Sequence, residues 1–263
     1  AYEIYQGDWS SDVCSSDLPS DGTAVTAVVQ AEVPGSGTDV VANHRRITDI
    51  LLEETVALAQ RRRTGEPSPE LVVWPENATA VDPARDDEAR AALLDAATAS
   101  GAPLLAGSIV DGATSTQALN QSILWTRAGS GARYTKQHLV PFGEYVPLRP
   151  LARLLSDRVE GIARDMVPGT SAAPMTSGRL KVANALCFDV AYDDVLRSQV
   201  DRGADLVVVQ TSNAMFTGTA QREQQWAISR ERAVEVARTV VVSSINGSSG
   251  VIAPDGTVLE RLP

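Results

Sequence analysis

Cysteine and histidine are almost absent from this chain, and their scarcity removes whole classes of chemistry. Its 263 residues include two cysteines, Cys14 and Cys187, and two histidines, His44 and His138. Two thiols cannot build a disulfide framework or a multi-cysteine zinc site, and two imidazoles argue against a histidine-based metal centre. The expectation is a chain that uses no metal and no cofactor. Positive charge is also in deficit, with 23 Lys and Arg against 33 Asp and Glu, a net charge of −10. The arginines are scattered or interleaved with acids, as in Arg230-Glu-Arg232, so a nucleic-acid partner is not expected. No apolar run approaches the roughly 20 residues of a membrane span, and this stretch is expected to be soluble. No Pro/Gly/Ser-rich linker divides the chain and no internal repeat of fixed period runs through it. With 43% hydrophobic residues, it can bury the core of one large domain.

The N-terminus is set apart by composition. Asp8 to Leu18 is a polar string with neither helical nor strand period. Trp9 to Leu18 is also what TGGAGTTCAGACGTGTGCTCTTCCGATCT encodes in one frame, which resembles a common sequencing-adapter read. Residues 1–18 are therefore expected to be an assembly artefact or a disordered segment, and 19–263 the folded domain. Cys14 is expected to carry no function.

From Thr23 the pattern becomes regular. Ala24 to Gln30 is a buried-strand run. Asp39 to about Arg62 is helical, with Val40, Ile47, Ile50, Leu51, Val56 and Leu58 recurring at helical spacing. Leu71 to Trp74 reads as a strand, Asp86 to Ser100 as a helix and Pro103 to Val110 as a strand. This βαβαβ order predicts a largely parallel or mixed sheet with helices on its face. Gln121 to Thr126 and Ala132 to Thr135 predict a strand pair turning at Gly129-Ser-Gly131. Leu180 to Cys187 predicts a strand, Asp193 to Arg202 a helix, Asp205 to Thr211 a strand buried on both faces, Gln221 to Arg238 a helix and Thr239 to Ile245 a strand. Ser249 to Leu259 predicts a hairpin turning at Pro254-Asp-Gly256.

The residues that carry chemistry sit at the ends of these runs. Glu76 closes Leu71-Val-Val-Trp-Pro-Glu, Lys136 opens Lys136-Gln-His-Leu-Val-Pro-Phe-Gly-Glu144-Tyr-Val-Pro147, and Cys187 closes Val182-Ala-Asn-Ala-Leu-Cys. In open α/β sheets reactive groups collect beyond the carboxyl ends of strands, so the three are expected to share a cleft, with the Thr211-Ser-Asn213 turn beside them. A free thiol titrates one to two units above neutrality, and a nearby base and ammonium populate its thiolate. A carboxylate, an ammonium and a thiol are the parts of a cysteine acyl-transfer site. Taken singly, each has a plainer reading: Cys187 as a small buried hydrophobe, Glu76 as a solvated strand end, Lys136 as a surface lysine.

The order Glu76, Lys136, Cys187 resembles the nitrilase (carbon-nitrogen hydrolase) superfamily. Within it, Tyr134 to Leu148 is very similar to the motif of the apolipoprotein N-acyltransferase family. Val28-Val-Gln30, Asn120-Gln-Ser122, Thr211-Ser-Asn213, Gln224-Gln-Trp226 with Arg230 to Arg238, and Asn246-Gly-Ser-Ser-Gly250 agree with it, so the resemblance covers about Thr23 to Leu262. It implies a four-layer αββα sandwich and a ping-pong transfer. An acyl chain passes from a phospholipid donor to the cysteine as a thioester, then to the α-amine of a diacylglyceryl apolipoprotein acceptor. Glu76 would be the general base, Lys136 the cationic partner and Cys187 the nucleophile. Glu144, Phe188 through its backbone N–H, and Asp189 would support them, and Asn213 would touch substrate. His138 is expected to pack or bond to backbone.

The chain also departs from the pattern. Asp189 stands where some members carry Glu, and Asn213-Ala-Met-Phe-Thr-Gly218 lacks a Trp often seen after that Asn. The family's flanking membrane helices are missing, so the expectation is an extracytoplasmic catalytic fragment of a protein of the bacterial cytoplasmic membrane, shortened at its C-terminus. Leu148 to Leu155, with leucines near Arg149 and Arg153, reads as an amphipathic surface helix or as a lid that meets lipid. Two further functions stay open at this point: a soluble amidase hydrolysing a carbon-nitrogen bond, and a catalytically silent domain.

Overall fold

The computed structural model describes residues 2–8, 23–36, 38–62, 67–149 and 163–262. Thirteen strands and four α-helices are seen among them: β1 (Tyr2–Asp8), β2 (Thr23–Val29), α1 (His44–Arg62), β3 (Leu71–Val73), α2 (Asp87–Ser100), β4 (Leu104–Asp111), β5 (Gln117–Thr126), β6 (Gly129–Thr135), β7 (Asp165–Met166), β8 (Met175–Ser177), β9 (Leu180–Leu186), α3 (Asp193–Val200), β10 (Leu206–Ser212), α4 (Gln221–Val236), β11 (Val240–Ile245), β12 (Ser249–Ile252) and β13 (Val258–Leu262). One sheet runs β1-β2-β3-β4-β5-β6 with β7 beside β5, and the other runs β13-β12-β11-β10-β9-β8. In each, a parallel centre (β2, β3, β4; β9, β10, β11) is flanked by antiparallel strands. Both sheets are therefore mixed.

Strand alternation puts the first sheet between two partners. Val28, Leu71, Val73 and Leu105 join the core shared with the second sheet, including Val182, Val207 and Val241. Their neighbours Ala27, Val29, Val72, Trp74 and Leu104 face Ile47, Leu51 and Leu58 of α1 and Leu93 and Ala96 of α2, as a period of two requires. Val195 and Leu196 of α3 and Trp226 and Ala233 of α4 cover the far face of the second sheet. The result is the αββα sandwich that the resemblance implied.

Polar bonds also cross between the sheets. Gln210 of β10, wholly buried, donates from Nε2 to the carbonyls of Trp74 at 2.6 Å and Leu105 at 3.3 Å and accepts from the Ser122 hydroxyl. Ser243 of β11 donates to the Val29 carbonyl at 2.9 Å.

The structure corrects several expectations. The β5/β6 turn is Arg127-Ala128, with Thr126 paired to Gly129, so Gly129 and Ser130 lie inside β6 rather than in the turn. Strand β9 ends at Leu186, and Cys187 opens a 3-10 turn, Cys187–Ala191. Val56 of α1 is exposed, and the buried place next to it belongs to Thr55, whose hydroxyl accepts from Trp74 Nε1 at 2.9 Å. Strands β7 and β8 had no counterpart in the expected pattern. Tyr2–Asp8, within the segment set aside on composition, has strand backbone paired antiparallel with β2, while the adapter-like residues 9–18 lie outside the described residues. Of the expected lid, Leu148 is exposed and Arg149 pairs with Asp165, and residues 150–155 lie outside the described residues. No helix among the described residues is long and apolar enough to cross a membrane.

Candidate active site

The carboxyl ends of β3, β6, β9 and β10 bring the sequence-predicted groups to one edge of the sandwich. Glu76 lies three residues beyond β3, Lys136 directly follows β6, and Cys187 directly follows β9. Glu76 can turn in at this point because Gly107 of β4 has no side chain: a Cβ there would sit 2.6 Å from both the Glu76 Cα and the Pro75 carbonyl oxygen. The Gly107 N–H donates to that oxygen at 3.2 Å.

Lys136 and Glu76 are both buried, and Lys136 donates from Nζ to Glu144 Oε1 at 2.8 Å and Glu76 Oε1 at 3.3 Å. Asn120 of β5 spans the same two carboxylates, its Nδ2 lying 2.7 Å from Glu76 Oε1 and 3.2 Å from Glu144 Oε1. The remaining oxygens are held by backbone: Glu76 Oε2 accepts from the Ser212 N–H at 2.9 Å, and Glu144 Oε2 from the Val140 N–H at 2.8 Å. Burial raises the Glu76 pKa, and Lys136 opposes the rise. Burial works against the Lys136 ammonium, but the charges of Glu76, Cys187 and Glu144 outweigh it and hold its pKa above the ordinary lysine value. The lysine is thus kept as a cation between two carboxylates.

Cys187 is a free thiol with backbone in the left-handed region, φ 47°, a conformation that costs a non-glycine residue on the order of 1 kcal/mol and clusters at functional sites. Asp189, two residues on, holds this turn. It is fully buried and accepts four hydrogen bonds: from the Tyr134 hydroxyl at 2.8 Å and from the N–H groups of Gln137 at 3.1 Å, His138 at 2.7 Å and Leu186 at 3.1 Å. Its carboxylate fastens the Cys187 turn to the segment after Lys136. Although Cys187 is half-buried as a residue, the protein packed around its thiol pushes the pKa up to about 11, with Glu76 adding to the rise and Lys136, Thr211 and Gln225 opposing it.

The other expected residues take different places. Phe188 lies in the same turn, its ring edge-on to Tyr192 at 5.3 Å. His138 packs, as expected of it, by stacking on Tyr192 at 3.7 Å, and its Nε2 also meets Asp194 Oδ1 at 2.9 Å, a carboxylate partner that was not expected. Asn213 is buried, and its Nδ2 donates to Gln225 Oε1 at 2.8 Å and Ser244 Oγ at 3.3 Å. Sequence reasoning assigned no site role to Asn120 or to Gln225, whose Nε2 lies 3.4 Å from Cys187 Sγ. Both stood inside motifs already noted, Asn120-Gln-Ser122 and Gln224-Gln-Trp226, and that was the available signal. Among the described residues, no three His, Cys, Asp or Glu side chains are grouped as a metal ion would need.

Comparison with known proteins adds to this geometry. Residues 26–263 match the family described as carbon-nitrogen hydrolase. The chain is 38% identical over 248 residues to the apolipoprotein N-acyltransferase of Mycolicibacterium smegmatis, an alignment covering 92% of this chain and 41% of that protein. It is 28% identical to the apolipoprotein N-acyltransferase of Photobacterium profundum, over 74% of this chain and 39% of that one. The chain thus spans less than half the length of these relatives. Among solved structures, an amidase of the nitrilase superfamily from Nesterenkonia AN1 is similar in fold, with TM-score 0.63 and 21% identity over 90% of this chain and 85% of that one. A carbon-nitrogen hydrolase from Helicobacter pylori G27 has TM-score 0.64 and 17% identity over 90% of this chain and 84% of that one. At such identities the likeness is one of fold.

Proposed function

The chain belongs to the carbon-nitrogen hydrolase family, and from that premise we propose that it is the catalytic part of an apolipoprotein N-acyltransferase. In this reading Cys187 takes an acyl chain from a phospholipid as a thioester and passes it to the α-amine of a diacylglyceryl-cysteine at an apolipoprotein's N-terminus. The work is done at the extracytoplasmic face of a bacterial cytoplasmic membrane. The observation that carries the reading is the buried ammonium of Lys136, 2.8 Å from Glu144 and 3.3 Å from Glu76, whose charge reaches the Cys187 thiol. The 38% identity to the mycobacterial relative over 92% of this chain favours transfer to an amine over transfer to water.

Each group has a task that its surroundings suit. A thiol near 11 is protonated at neutral pH, so acylation needs a base, and Glu76 is the carboxylate whose charge the thiol senses. Glu76 takes the thiol proton as sulfur attacks the ester carbonyl, then returns it to the departing alcohol. Lys136 stabilises the tetrahedral oxyanion together with the Phe188 N–H. Glu144 and Asn120 orient Lys136 and Glu76, and Asp189 holds the turn that presents the sulfur.

Intact-protein mass spectrometry after incubation with detergent-dispersed phospholipid tests this. Wild type is expected to gain the mass of one acyl chain, Cys187→Ala none, and a diacylglyceryl-cysteine peptide to discharge the adduct. Discharge by water at the same rate as by the peptide amine would replace the transferase reading with a hydrolase.

A further inference from the structure

Gln225, on α4, joins three residues that belong to separate parts of the chain. Its Oε1 accepts from the Thr211 hydroxyl at 2.7 Å and from Asn213 Nδ2 at 2.8 Å, and its Nε2 lies 3.4 Å from Cys187 Sγ. The Asn213 Nδ2–H on that oxygen determines which way the amide faces. Reversed, Nε2 could still donate to the Thr211 hydroxyl, but it would meet the Asn213 Nδ2–H donor and lose that bond. The N–H is therefore directed at the sulfur. The support behind it is close-packed: a Cβ on Gly247 would sit 2.1 Å from Ser244 Oγ and 2.6 Å from Asn213 Nδ2, so glycine lets the chain pass against this network. The Asn213 N–H is itself tied to the Ile245 carbonyl at 2.8 Å.

We propose that Gln225 is a catalytic residue that donates a hydrogen bond to the Cys187 sulfur when that sulfur carries charge, and that Thr211 and Asn213 are positioning residues that aim it. The inference rests on Cys187 being the nucleophile, as read above, and it gives Asn213 a different task from substrate contact. Its basis is the changing acceptor strength of sulfur, which is weak as a thiol, strong as a thiolate and weak again as a thioester. In acylation a sulfur electron pair forms the S–C bond, the ester C–O bond breaks, and the alcohol leaves with the proton Glu76 removed from the thiol. In deacylation the amine nitrogen bonds to the same carbon and the C–S bond breaks. The pair returns to sulfur, and the amine's surplus proton follows through Glu76. Charge appears on sulfur in both halves, and the Gln225 bond tightens as it does. The charged groups that act on the sulfur are Glu76, which disfavours thiolate, and Lys136, which favours it. Gln225 adds a donor without a titration of its own.

The test is the rate at which iodoacetamide alkylates Cys187, followed on the Cys187 peptide by mass spectrometry across pH in wild type, Gln225→Leu, Gln225→Glu and Thr211→Val. No acyl donor or acceptor takes part, so a missing acyl adduct with these rates as expected would sink the transferase reading and leave this one standing. Gln225→Leu is expected to react about tenfold more slowly at neutral pH, the equivalent of about one pH unit in the thiol. Thr211→Val, which removes one support of the amide together with the hydroxyl's own effect on the sulfur, is expected to lose about threefold or more. Gln225→Glu sets a carboxylate against the sulfur and is expected to react more slowly still once that carboxyl ionises, by charge as well as by loss of the donor. Loss of a donor to the thiolate raises the thiol pKa, so the deficit of Gln225→Leu is expected to close as pH passes about 11 and both thiols ionise. A purely structural role would lower the rate by one factor at every pH. A Gln225→Leu deficit that persists unchanged above that pH, or a wild-type rate in Gln225→Leu, overturns the proposal. Thermal unfolding reports whether each variant is folded, and Gln225→Met is measured in its place if Gln225→Leu is not.

Discussion

At the scale of single residues, this site turns on carboxylates placed where water cannot reach them. Glu76 is buried, and its pKa is raised above the ordinary 4.5 by that burial. A base with a raised pKa is lost to protonation at a higher pH than a solvated glutamate would be, so kcat/KM for a short activated thioester should fall on an acid limb lying above pH 4.5. Lys136 is held above its ordinary value, so no loss from its deprotonation is expected at mildly alkaline pH. Glu76→Gln should remove the acid limb and lower kcat by roughly a hundredfold or more. A variant retaining the wild-type limb would assign that limb to another group. The types and order of Glu76, Lys136 and Cys187 were legible in the sequence because each closes or opens an apolar run. Asn120 and Gln225 were not, since an amide is an ordinary strand or helix residue until folding sets it beside a carboxylate or a sulfur.

At the scale of elements, the site depends on how strands end. β3 is three residues long, and Glu76 reaches the cluster because the chain after it passes closely over Gly107. Gly107→Ala should force the Pro75–Glu76 backbone off β4, costing about 1–3 kcal/mol and reducing activity by roughly tenfold to a hundredfold through displacement of the carboxylate. Thermal unfolding and thioester hydrolysis measured on the same sample check this, and unchanged activity in a destabilised protein would show that Glu76 is positioned from elsewhere. Most elements were legible by period: α2 begins where expected, its Asp86 side chain accepting from the Ala89 N–H at 2.8 Å as an N-cap. The β5/β6 turn was misplaced because Gly129 and Ser130 looked like turn residues, while pairing of Thr126 with Gly129 closes the hairpin two residues earlier. Strands β7 and β8, two and three residues long, are too short to show a period.

At the scale of the whole molecule, two sheets must keep register for Glu76 and Lys136 from one to meet Cys187 from the other. Apolar packing alone is tolerant of sliding, and the buried Gln210 bridge to Trp74, Leu105 and Ser122 supplies direction. Gln210→Leu should cost about 1–3 kcal/mol by stranding buried partners and lower activity more than Val209→Ala variants of equal stability, because Trp74 lies two residues before Glu76. Urea unfolding paired with thioester hydrolysis makes the comparison. Equal activity at equal stability would mean that packing by itself keeps the sheets aligned.

The amino-acid sequence by itself determined the alternation of strands and helices, the absence of a disulfide framework, and the three reactive residue types with their strand-end placement, because these follow from local period and composition. Tertiary structure decided which groups meet. The bridging of two carboxylates by Lys136 and Asn120, the rise of the Cys187 pKa, the four bonds on Asp189 and the aim of Gln225 all join residues distant in the chain. Their energies depend on burial and on ångström-scale distances, which exist once the two sheets have closed on each other.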